Sequence, residues 1–149
     1  MTLTQWLDNK WLVEHQTSAQ EVRELLKLVD RDVKDAATAA LSTDWRLAIA
    51  YNAVLQCAKV GLAAAGYRIG RGASQHYYSI ESMRFTMGLD EDEIRIIDAF
   101  RKKRNISDDE RAGTVSDTEV EELLALAKDV REHTVAWLKR EHPELMRKP

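Results

Sequence analysis

Five consecutive residues, Arg101-Lys102-Lys103-Arg104-Asn105, hold the densest polar chemistry in the chain. At about 100° per helical residue, Arg101 and Arg104 fall on the face of Ile94, Ile97 and Phe100, while Lys102 and Lys103 point away. Two guanidiniums on an otherwise apolar face need partners. A phosphate suits them, because arginine offers a planar fork of donors. The alternatives are salt bridges to acids on neighbouring helices, or a solvated last turn that complements the helix dipole. A second polar feature is the stripe Asn52, Gln56 and Lys59, spaced i, i+4 and i+7 in an apolar segment. A buried helix carries such a stripe where it faces a cleft, a partner or its own exposed edge. His76, beside Tyr77 and Tyr78, is a candidate general acid or base near neutral pH or a packing histidine. Arg68 and Arg71 among Gly66, Gly70 and Gly72 are read either as a phosphate cradle or as a turn.

Other chemistries lack their residues. His15, His133, His142 and Cys57 show no ligand spacing, so neither a metal site nor a cofactor is expected. There is no P-loop, dinucleotide glycine pattern or nucleophile elbow. The net charge of −3 provides no global field for nucleic acid, so any anion site must be local. A lone cysteine, no secretory signal and no long uninterrupted apolar run point to a cytoplasmic chain without a membrane span.

The elements that must position these residues are helices. Hydrophobic residues make up 44% and charged residues 32%, both prolines lie at the C-terminus, and 149 residues suit a single domain, 1–149. Leu3 to Leu12, with Trp6 and Trp11, reads as a short helix or clamp. Ser18 and Glu21 form a capping box for a helix from Ala19 to about Leu41. Ser42-Thr43-Asp44 caps an apolar central helix, Trp45 to Ala65, that Gly66 ends. Arg68 to Gly72 is expected as a basic loop, Ser74 to Met87 as a third helix ended by Gly88. The acids Asp90 to Glu93 begin the next helix and the basic run ends it. Ser107 to Gly113 reads as a polar loop. Ser116 and Glu119 box the start of a last long helix that Pro143 ends. The expectation is an all-α antiparallel bundle of about five helices, with no sheet.

The segments Tyr51-Asn52-Ala53-Val54-Leu55-Gln56, Ala64-Ala65-Gly66-Tyr67-Arg68, Gln75-His76-Tyr77 and Arg101 to Asn105 occur in an order that resembles the HEPN domain family, in its prokaryotic Lys-Arg-Asn branch. The resemblance runs from about Ala19 to Leu138. It implies a helical bundle that dimerises, or that pairs with a nucleotidyltransferase or toxin, in toxin–antitoxin or phage-defence systems. Active members are metal-independent ribonucleases using an arginine, a polar residue and then a histidine. Arg104 and Asn105 match the first two positions, but Ile106 to Arg111 contain no histidine. The resemblance therefore implies a binding or regulatory module, with Arg101, Arg104 and Asn105 facing an anion such as RNA or a nucleotide and Asn52, Lys59 and His76 lining the patch. Its alternatives are a divergent ribonuclease using His76, and a structural helical partner.

Overall fold

A computed structural model describes residues 2–72, 74–109 and 115–147, with the side chains of 105–109 outside that description. Among the described residues, six α-helices run in chain order as α1 (Leu3–Asp8), α2 (Ala19–Ala36), α3 (Thr43–Ala65), α4 (Gln75–Phe85), α5 (Glu91–Asp109) and α6 (Asp117–Glu141), followed by a 3-10 turn at Pro143–Met146. The all-α bundle is thus as the sequence patterning requires. Its axis is α3, which packs against α2, α4, α5 and α6. Leu47, Ala50, Ala53, Val54, Cys57, Ala58, Val60 and Leu62 of α3 are all buried. By length and composition α3 could cross a membrane, but two thirds of its apolar window is covered by the rest of the bundle. Each fully buried aliphatic side chain contributes roughly 1.5–3 kcal/mol, so this helix dominates the core. Burial pushes the Cys57 thiol up to about 12.

The helix ends follow capping chemistry. Ser42 caps α3 through the amide of Trp45, and Gly66 closes it at φ 97°, in the left-handed region. Ser116 and Glu119 form the expected reciprocal box on α6. Asp90 and Glu93 make another at the start of α5, the Asp90 carboxylate accepting from the Glu93 amide at 2.8 Å.

Four expectations are revised. The Ser18 box is half formed. Ser18 accepts from the Glu21 amide, but the Glu21 carboxylate turns to Thr17 at 2.7 Å and His15 at 2.8 Å. Helix α2 stops at Ala36 rather than near Leu41, and its terminal carbonyl accepts a 2.8 Å hydrogen bond from Arg46 Nε. Helix α5 continues to Asp109, so the basic run lies inside it and not at its end; the dipole argument for that run falls. That same extension takes in 107–109 of the segment expected as a polar loop, the rest of which lies outside the described residues.

The fourth revision concerns the segment read as a basic loop. Strand β1 (Leu12–Glu14) pairs antiparallel with strand β2 (Tyr67–Ile69), with Leu12 opposite Ile69 and Val13 opposite Arg68. Gly70 closes the ladder. Its amide donates to the Trp11 carbonyl at 2.8 Å, and a β-carbon there would stand 2.6 Å from the Lys10 carbonyl oxygen. Only glycine allows that approach. The ribbon holds α1 to the bundle through a second small core of Trp6, Leu12 and Leu62, with Trp11, Tyr78 and Phe85 packed against it. Trp11 stacks on Tyr78 with ring centres 4.7 Å apart, and Trp6 meets Phe85 edge-on at 5.4 Å. Trp6 and Trp11 are therefore spent inside this chain, whereas Trp45 is 66% exposed.

Candidate functional site

Helix α5 makes one face of the site. Asp98, Arg101 and Arg104 stand three residues apart, and the same helix buries Ile94, Ile97 and Phe100. This is the placement that the helical spacing predicts: the arginines start at the edge of the core and are half-buried. Arg101 Nε donates to Asp98 Oδ1 at 2.6 Å, and Lys102 Nζ reaches the same carboxylate at 3.5 Å. Lys103 leaves the site and pairs with Glu119 of α6 at 2.8 Å. The Arg101 guanidinium also lies 5.7 Å from the ring centre of Tyr77. That of Arg104 lies 5.5 Å from the ring centre of Tyr51.

Helices α3 and α4 supply the opposite side. The Tyr51 ring is 1% exposed and lies 5.6 Å from the imidazole of His76. His76 is half-buried. Its pKa is lowered first by desolvation, then by the positive charges of Arg104, Arg101 and Lys59. Tyr51 is pushed up to about 12 by burial, against the opposing pull of Arg101 and Arg104. The Asp98 carboxyl loses solvation, but its bonds to Arg101 and Lys102 outweigh that and hold it below the usual range. Two arginines, a lysine and an imidazole thus share one electrostatic neighbourhood across three helices, with the Asp98 carboxylate as their acid among the described residues. The arrangement can receive an anion, and it keeps His76 neutral near pH 7.

The residues singled out in the sequence separate into four groups. Arg101, Arg104 and His76 converge. Lys59 reaches the cluster electrostatically, while its exposed side chain lines a neighbouring cleft of about 360 Å³ with His15, Glu21, Tyr67, Arg68 and Gln75. Asn105 belongs to α5, and its side chain lies outside the described residues.

Asn52 is the correction. Its amide donates at 2.7 Å to Asp32 of α2, a buried carboxylate that also takes 2.9 and 3.1 Å bonds from Arg31. One residue further along α3 is a turn of roughly 100°, enough to carry Asn52 away from the side where Tyr51 meets α4 and α5. Asn52 joins helices; it does not line the arginine cluster.

Sequence reasoning missed Tyr51 and Asp98. Tyr51 sits in a run of apolar residues and reads as core. Asp98 had a usable signal, since an acid three residues before Arg101 on a helix is a standard pairing distance. No group of three or more histidine, cysteine, aspartate or glutamate residues able to hold a metal occurs among the described residues. No protein-family model, curated protein or solved structure matches the chain.

Proposed function

We propose that this chain is a HEPN-like binding or regulatory module whose Arg101–Arg104 face engages the phosphate of RNA or a nucleotide, in a toxin–antitoxin or phage-defence setting in the cytoplasm. The observation that carries the reading is the meeting of Arg104 and His76 on the Tyr51 ring, with Arg101 on the ring of Tyr77 beside His76 and paired to Asp98. Clustered cations repel one another, and an incoming phosphate relieves that repulsion while taking charge-assisted bonds. Asn105, next to Arg104, belongs to the same proposed patch.

A partner belongs to the proposal: a second copy, or a heterologous nucleotidyltransferase or toxin. Its support is the exposure of the large apolar side chains Leu41, Trp45, Tyr77 and Ile96 on the single chain. A ribonuclease reading has its own support. His76 is held neutral beside two arginines, so it can accept a proton while they stabilise the charge that develops on phosphorus.

One variant series tests these readings. Arg104→Ala should weaken RNA or nucleotide binding by tenfold or more and leave the fold intact, and added salt should mimic part of the loss. Cleavage of RNA that needs both Arg104 and His76 would decide for the ribonuclease. A lowered melting temperature with no change in binding would reduce the cluster to a structural role.

A further inference from the structure

The hydroxyl of Tyr51 is completely buried and, among the described residues, has no hydrogen-bond partner. A buried hydroxyl left unsatisfied costs about 1–3 kcal/mol, so native proteins rarely leave one without a use. Phenylalanine would fill the same space without that cost. Arg101, Arg104 and Asp98 of α5 lie close enough for their charges to act on its ionisation. Its ring packs against His76 on one side and the Arg104 guanidinium on another.

We infer that Tyr51 is the innermost ligand of the anion site and donates its phenolic O–H to a terminal phosphate group, with Arg104 moving off the ring to grip the same phosphate. This rests on the phosphate-binding reading above and deepens it. The argument for a terminal phosphate is one of depth. The hydroxyl oxygen is fully buried and the half-buried Arg104 guanidinium lies 5.5 Å from the centre of the ring that carries it, so on this proposal the ligand reaches the hydroxyl only after Arg104 turns aside, beneath the two arginines. A phosphate at the end of a nucleotide or RNA strand protrudes and can enter. A phosphodiester inside a strand is flanked by a nucleoside on each side and stays at the rim with the arginines. Burial keeps the phenol protonated throughout the physiological range, so the group is a neutral donor that adds a bond without adding to the repulsion among the cations.

The test uses the full chain and two single-stranded RNA oligonucleotides of one sequence, one ending in phosphates and one ending in hydroxyls, with inorganic phosphate as competitor. The wild-type protein should prefer the phosphorylated strand by about tenfold or more, as expected for a hydrogen bond to a charged group. Inorganic phosphate should erase the preference. Tyr51→Phe should abolish it while leaving the melting temperature unchanged or raised, because the hydroxyl has no hydrogen-bond partner to lose among the described residues. Arg104→Ala should weaken both strands. Equal binding of the two strands by the wild type overturns the inference and leaves the phosphate-binding reading standing. So does a preference that survives in Tyr51→Phe, or a clear fall in melting temperature in that variant. Failure of the wild type to bind either strand, or inorganic phosphate, overturns both.

Discussion

Replacing Asn52 with alanine separates a helix-joining residue from a ligand-binding one. The Asn52 amide is bonded at 2.7 Å to a carboxylate that is 4% exposed. Loss of a hydrogen bond to a charged group costs about 1.5–3 kcal/mol. Alanine recovers about 0.5 kcal/mol through its better helix propensity. The net loss is then about 1–2.5 kcal/mol. For a domain of this size, about 3–4 °C of melting temperature accompanies each kcal/mol, so the transition should fall by about 3–10 °C. Thermal unfolding followed by circular dichroism reads this directly. A double-mutant cycle with Asp32→Ala should return a coupling of more than about 0.5 kcal/mol, since the two residues touch. RNA affinity should stay within twofold of wild type. An unchanged melting temperature with a tenfold loss of RNA affinity would refute the reasoning and return Asn52 to the arginine cluster.

His76 gives a pH prediction. Its folded pKa is depressed, whereas in the unfolded chain it lies near about 6.5. As pH falls through that value the unfolded state binds the proton first, so stability should decline from neutral pH toward pH 5. His76→Gln should remove that part of the slope, as the difference between denaturation at pH 7.5 and 5.5 would show. Proton NMR should place the free imidazole below 6.5, and inorganic phosphate should raise it by screening the arginines; a free value at or above 6.5 counts against the cluster. Gly70→Ala should loosen the β1–β2 ribbon and cost about 1–3 kcal/mol, because a β-carbon must push the Lys10 carbonyl from 2.6 Å. Amide exchange at Gly70, whose N–H bonds Trp11, should accelerate in any residual folded population, and an unperturbed stability would contradict the packing described.

The sequence made the local features plain and hid those that depend on chain segments meeting. Serines before periodic segments located the starts of α2, α3 and α6, because a cap is decided by neighbouring residues alone. The all-round apolarity of α3 announced the core helix. The β1–β2 pairing was invisible: each strand has three residues, too few for a period of two to register, and more than fifty positions separate them. The early end of α2 could not be read either, since Arg46 reaches back from the next helix to its last carbonyl. Within the site, helical spacing placed Arg101 and Arg104 correctly at the core edge. Asn52 was misplaced because its partner, Asp32, lies twenty residues away on a different helix. Tyr51 was passed over because a tyrosine in an apolar run reveals its ring from sequence and not the fate of its hydroxyl.

The aromatic core that fastens α1 also gives the molecule an optical readout. Trp11 stacks on Tyr78, and Tyr78 stands two residues beyond His76 on α4. Trp6 touches Tyr78 as well, at 5.2 Å. Any shift of α4 when the arginine cluster takes up charge changes the packing of two indoles at once. Trp45 is open to solvent and emits as a steady long-wavelength background, while Trp137 is buried on α6. The part of the shorter-wavelength emission that comes from Trp6 and Trp11 therefore reports on the helix that carries His76, above a contribution from Trp137, with no dye attached and no residue replaced.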